Sequence, residues 1–346
     1  MDPLSHGILG AIVPMSLMKR SQVRLAAWVG FLAGLLPDID FVIQSKKDPL
    51  LFLEYHRQFT HSLLFIPIGG WVVAFLLKKV FRSRESFKTL WIIGSLGYGM
   101  HPLLDACTSY GTQLFWPISH ARIAWHNVSI VDPIFTITLL VLLGIAFFRH
   151  RQKTARIALL FALSYLSWGF FQRAEITNLS HQLAEIRGHV VQKMEVKPSF
   201  GNMILWKSIY EAGDRYYVDA IRFLPGAGAR VYEGSSVEKL KPADTNTLPA
   251  DSVQAKDIER FRWFSNDFLS LHPEDKNVII DMRYSTLPQE IKPLWGIRFS
   301  ASTPEQHVPF ETYRTVSKQD WRTFWSMLCG KPLEIAPSQT PIEVKD

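Results

Sequence analysis

Apolar residues fall into six runs along the first half of the chain and then give out. The runs cover roughly 4–18, 25–43, 60–81, 88–106, 133–148 and 156–172, and no later stretch is apolar for long enough to span a bilayer. A spanning helix needs about 20 residues, with a range near 17–25. The second, third and fourth runs meet that length. The first is short enough to be re-entrant, and the apolar lead-in Val128–Val131 lengthens the fifth. The pattern predicts an α-helical integral membrane domain over residues 1–172, with about five to six transmembrane helices.

Residues 173–346 read differently. Val190–Pro198, Met203–Tyr210 and Tyr216–Phe223 are rich in β-branched and aromatic residues, with turn signals at Gly201-Asn202 and Gly213-Asp214 between them. Val278–Arg283 and Leu294–Phe299 look like further strands. Asp257–Leu271 and Lys318–Leu328 have helical character, and 225–256 reads as a long loop. The expectation is an α+β domain following the membrane domain.

Loop charge sets the orientation. The loops 19–24, 78–88 and 149–156 carry twelve Lys and Arg, while the alternate loops 44–59 and 107–132 carry four. This bias puts the first set in the cytoplasm. The N-terminus and the polar C-terminal half then lie outside, in the periplasm of a Gram-negative cell. Met1-Asp2-Pro3 lacks the basic start of a signal peptide. Trp91, Trp116, Trp125 and Trp168 sit near the predicted boundaries, where indoles anchor at the interface.

Composition changes the picture little. The net charge of +7 and pI near 9.3 follow from the basic loops, and no aromatic-basic cluster of a nucleic-acid-binding kind is present, so no nucleic acid is expected as a stable partner. Two cysteines, Cys107 and Cys329, are too few for a disulfide framework or a Cys-rich zinc site.

The candidate chemistry sits where the runs end. His6, Asp38, Asp40, His56, His61, His101 and Asp105 all fall at the outer ends of segments or in an outer loop under the predicted topology. Ionisable side chains near hydrocarbon are costly, so their gathering at one depth marks a functional site. His101 and Asp105 are spaced i, i+4 and share one helix stripe. Asp38 and Asp40, beside Pro37, suit an irregular turn. Histidine with carboxylate and no cysteine fits zinc, with manganese and iron also suited. Water on such an ion reaches a pKa near 7 and becomes a nucleophile at neutral pH. His6, Asp38, His56, His61, His101 and Asp105 are therefore the candidate ligands. Arg57 and Asp40 are the candidate catalytic residues, Arg57 as a bidentate clamp for an anion. Thr60 and Ser62 suit orienting roles, Asp132 reads as a helix cap before Pro133, and His120 and His126 are weaker candidates on the same side. The same residue types also build ion pathways, or pack helices in a non-catalytic scaffold. Against transport, no Asp, Glu or His continues inward through the third, fifth or sixth run. The chain has no HExxH, no GxSxG elbow and no phosphate-binding Gly-rich loop.

The stretches DPLSHGILG (2–10), LLPDID (35–40), HRQFTHSLL (56–64), HPLLDACTSYGTQLFWP (101–117) and IVDPIF (130–135) resemble the YdjM-like membrane-bound metal-dependent hydrolases of the bacterial inner membrane. KPSFGNMILWKSIY (197–210) and DMRYS (281–285) look like that family's extracytoplasmic part. The family is in turn distantly similar to zinc phospholipase C and P1 nuclease, helical proteins that bind several zinc ions for phosphoester hydrolysis. The resemblance implies His6, Asp38, His56 or His61, His101 and Asp105 as ligands and hydrolysis of a phosphoester; a site at the membrane interface suits a lipid-linked substrate, with membrane lipids as partners. The water-soluble proteins of that group use an N-terminal Trp and a C-terminal His-x-x-x-Glu; this chain begins with Met.

Overall fold

The computed structural model describes residues 1–80 and 82–333. They form two compact units. Unit 1 comprises Met1–Ile43, Tyr55–Phe171 and Phe200–Asn202; unit 2 comprises Gln44–Glu54, Gln172–Ser199 and the described residues from Met203 onward. Two short segments, 44–54 and 200–202, thus fall on the other side of a division drawn at residue 172.

Unit 1 is helical. Helix α1 (Pro3–Leu17) is capped by Asp2, whose side chain accepts from the Ser5 amide. Helix α2 (Val23–Leu35) runs into a 3-10 helix, Leu36–Val42, that opens at Pro37. A 3-10 turn, Phe59–His61, precedes α4 (Phe65–Lys79), while helix α3 (Leu51–Tyr55) lies in unit 2 but for Tyr55. The predicted third run, 60–81, therefore holds one helix of 15 residues, shorter than the span expected of it. Helix α5 (Phe87–Cys107) is capped by Ser86, and α6 (Pro133–Phe148) by Asp132, as expected of Asp before Pro. Helix α7 (Gln152–Ile186) runs 35 residues, well past the predicted end at 172. Arg20–Val42 and Gln152–Ile186 are long and apolar enough to cross a membrane, and the bent pair α3–α4 makes a third if it is one span. Pro3–Leu17 and Pro133–Phe148 are shorter apolar helices.

Small residues let α1, α2 and α5 approach closely, the usual device where hydrocarbon gives no hydrophobic drive between helices. A Cβ on Gly34 would lie 2.6 Å from the His6 carbonyl oxygen, and one on Gly97 2.6 Å from the Gly30 carbonyl. These contacts bring His6 on α1, the end of α2 and His101 on α5 to one level.

Unit 2 holds two antiparallel four-stranded sheets. The first has order β1 (Lys193–Pro198), β2 (Leu205–Ala212), β3 (Arg215–Leu224), β4 (Gly228–Glu238); the second has order β5 (Leu269–Leu271), β6 (Val278–Asp281), β7 (Trp295–Arg298), β8 (Phe310–Thr312). Strand β2 is buried along its whole length, and Ile209, Val218, Phe268, Val278 and Ile280 share one core cluster. Helices α8 (Val253–Phe264) and α9 (Lys318–Leu328) complete the unit, α9 with the bounds predicted from sequence. Two expectations are corrected. The stretch 225–256 is no long loop, because β4 lies within it. As an edge strand it buries only Val231 and Tyr232, so its small and polar residues hid it. The predicted helix 257–271 stops at Phe264, because Asn266 and Asp267 take positive φ and the chain re-enters as β5. Cys107 is buried, Cys329 exposed, and both are free.

Candidate metal centre

The sequence-predicted residues converge. Asp105, fully buried near the end of α5, is the hub. His6 Nε2 lies 3.1 Å from Asp105 Oδ1. On the other oxygen, Arg57 Nε lies at 3.0 Å, His61 Nε2 at 3.4 Å and His101 Nε2 at 3.6 Å. The last is the predicted i, i+4 pair. Asp38 Oδ1 adds a second carboxylate, 3.3 Å from His101 Nε2 and 3.6 Å from His61 Nε2. The His6 and His101 rings stack at 3.6 Å. One partner was missed in the sequence: the amino group of Met1 bonds Asp105 Oδ1.

Asp40 plays a different part. Its oxygens accept from the Arg57 amide at 3.0 Å and Thr60 Oγ1 at 2.6 Å, and meet His56 Nδ1 at 2.9 Å and His61 Nδ1 at 3.2 Å. A carboxylate facing Nδ1 keeps the proton on that nitrogen and leaves the Nε2 lone pair free. His101 is set in the same way, because its Nδ1 lies 2.6 Å from the Gly34 carbonyl oxygen and can only donate to it. Gly34 itself is glycine because α1 passes too close for a side chain. Tyr98 donates to the Thr60 carbonyl at 2.6 Å and pins that turn from α5.

The consequence is a conflict that a cation resolves. His6 Nε2, His61 Nε2, His101 Nε2 and Asp105 Oδ2 are buried and make no hydrogen bond. These Nε2 atoms therefore face carboxylate oxygens at 3.1–3.6 Å with no hydrogen bond between them. Donors around one tetrahedral zinc at its usual bond length stand about 3.3 Å apart. Buried orphan polar atoms of this kind are rare in folded proteins. The donor set fits a divalent ion. Three overlapping groups have ligand atoms within 4.8 Å of one another: His6, His101 and Asp105; Asp38, His61 and His101; Asp38, Asp40 and His56. Asp38 and His101 recur between groups, so the three form one continuous cluster. It opens at one edge, where the side chains of Asp38 and His56 are 32% and 14% exposed while His6, His61, His101 and Asp105 are sealed.

Arg57 has φ of 66°, its guanidinium against Asp105 and 4.8 Å from the Tyr110 ring centre. Ser62 donates to the Phe59 carbonyl and only closes its own turn. Asp132 caps α6 and accepts from the Tyr165 hydroxyl at 2.9 Å. His120, His126 and Asp132 belong to none of the three groups.

Among known families, the family described as YdjM inner membrane protein matches residues 1–176, just over half of the chain. No curated protein and no solved structure matches.

Proposed function

For a chain that belongs to the YdjM inner membrane protein family, we propose a membrane-bound, metal-dependent hydrolase of a phosphoester or lipid-linked substrate. The observation that carries this reading is the set of buried Nε2 atoms of His6, His61 and His101, which make no hydrogen bond and lie 3.1–3.6 Å from carboxylate oxygens of Asp38 and Asp105. His6, His101 and Asp105 would hold one divalent ion, zinc by donor type; Asp38, with His61 or His56, would share a second. Bound there, the ion supplies Lewis acidity and a water that ionises near neutral pH.

The chain's own residues do the rest. Asp40 keeps the proton on Nδ1 of His56 and His61, so His61 presents Nε2 to Asp38 and Asp105. With its oxygens taken by those partners, the Arg57 amide and Thr60, Asp40 acts by orienting them rather than as a base. Arg57, whose Nε lies 3.0 Å from Asp105 Oδ2, would supply the guanidinium for a phosphoryl group. Substrate enters at the edge of Asp38 and His56.

The finer topology belongs to the same proposal. Five to six membrane-crossing helices, with the basic loops in the cytoplasm, put this centre and the C-terminal half on the periplasmic side. A centre at that depth suits a substrate carried in the membrane.

The test is hydrolysis by full-length protein in nanodiscs, assayed on bis(p-nitrophenyl) phosphate and on phosphatidylglycerol. Turnover abolished by a chelator, restored by zinc or manganese and absent in Asp105→Ala supports the reading. A protein that binds metal yet hydrolyses neither substrate overturns it.

A further inference from the structure

Helix α9 carries two different faces. Phe324 and Met327 are buried in unit 2. Lys318, Trp321, Arg322 and Trp325 recur at i, i+3, i+4 and i+7 and so form one outward stripe. All four are exposed, Trp321 at 44% and Trp325 at 56%. The exposed Cys329 continues the stripe by one turn, and exposed Val316 precedes it. Among the described residues, neither Lys318 nor Arg322 meets a carboxylate. The helix's one acid, Asp320, is turned away, accepting from the Ser317 amide and lying 3.4 Å from Lys292.

Tryptophan has an apolar body and one N–H, and it concentrates where hydrocarbon meets headgroups. Lysine and arginine beside it suit lipid phosphates, and a basic stripe with tryptophan on a surface helix is the pattern of interfacial attachment. The chain belongs to an inner-membrane family, so such a surface is at hand. We propose that the Lys318–Trp321–Arg322–Trp325 stripe is a lipid-docking face, with α9 resting on the headgroup layer of an anionic bilayer. Trp321 and Trp325 sit at the headgroup–acyl boundary, and Lys318 and Arg322 lie against phosphates. The proposal stands apart from the hydrolase reading.

Cys329 is a native reporter, because it is exposed on the stripe while Cys107 is buried. The experiment labels full-length protein with an uncharged polyethylene-glycol maleimide. The protein is held in neutral detergent, in phosphatidylcholine nanodiscs, and in nanodiscs containing phosphatidylglycerol. Each basic side chain near an anionic surface strengthens attachment roughly fivefold, so labelling should slow about tenfold or more in the anionic discs. Trp321→Ser with Trp325→Ser, and separately Lys318→Gln with Arg322→Gln, should restore the rate seen in detergent. Equal rates in neutral and anionic discs overturn the proposal. So does slowing that both variants retain. Slow labelling in detergent also overturns it, since the face is then covered by residues 334–346 or by a second copy of the chain.

Discussion

Two clusters of carboxylate and histidine have ligand atoms close enough to hold a metal ion, and their surroundings are opposite. In unit 2, Asp48, Asp257 and His307 come together. Arg260 donates to Asp48 at 3.0 and 2.9 Å, to Asp257 at 2.7 Å and to Glu54 at 2.6 Å, and His307 Nδ1 meets Asp257 at 2.9 Å. A cation already occupies that group, and it is a guanidinium. In unit 1, Asp105 also meets the Arg57 guanidinium and the Met1 amine, but the backbone and Asp40 take up the outer nitrogens of His101 and His61, and their inner nitrogens make no hydrogen bond. Residue type and proximity are alike in both. The two groups differ in whether the inward histidine nitrogens already have hydrogen-bond partners.

That contrast breaks first at the ligands. Asp105→Ala and His101→Ala should each strip the centre of its ions, read as metal per chain by mass spectrometry. Asp105→Asn keeps the volume and guards against a folding loss. Asp257→Ala should leave the metal content as it is, because the unit 2 group serves Arg260.

A smaller effect is expected one step out. Asp40→Asn removes the charge that holds Nδ1 of His56 and His61 protonated, and should weaken metal affinity roughly 10- to 100-fold. A competitive chelator titration measures this, and unchanged affinity would deny Asp40 its orienting role.

Arg260→Gln should loosen the Gln44–Glu54 segment. Charged hydrogen bonds are each worth roughly 1.5–3 kcal/mol, so hydrogen exchange across 44–54 should accelerate while metal content stays constant. Faster exchange accompanied by metal loss would mean the clamp also supports the centre.

The smallest expected effect is a pH slope in unit 2. Lys207 is buried on β2, bonded to Ser285 Oγ at 2.6 Å, and burial pushes its pKa down to about 7. The unfolded chain keeps the ordinary lysine value, so it binds more protons than the folded one between about pH 7 and 10.5. Stability of unit 2 should therefore rise with pH across that window, by up to about 1.4 kcal/mol per unit, and level off at its lowest below about pH 7, where both states carry the proton. Lys207→Met should flatten the slope in exchange protection of β2 and β6, with no change at the metal centre.

Much of the centre was legible because its residues mark segment ends. LLPDID closes α2, HRQFTH leads into α4 and HPLLD closes α5, so chain topology alone gathered Asp38, His61, His101 and Asp105 at one depth. The roles of their partners were not legible. That Gly34 offers a carbonyl to His101, and that Asp40 is saturated, depends on helix approach at particular glycines. Gly30 and Gly34, spaced as small-x-x-x-small, were the available signal. The Met1 amine at Asp105 had no signal at all. In unit 2, strands with continuous apolar residues were found, while β4 escaped because an edge strand needs few of them. The place of 44–54 in unit 2 was hidden for another reason. It rests on Arg260 reaching Glu54 across 206 positions of sequence, which no local pattern records.

The most direct measurement is metal content of full-length, detergent-purified protein for wild type, Asp105→Ala, His101→Ala and Asp257→Ala. One or more zinc or manganese ions per chain, lost in the first two variants and kept in the third, is the expected result. No bound metal in wild type after supplementation, or ions lost in Asp257→Ala alone, would contradict a metal centre at Asp105.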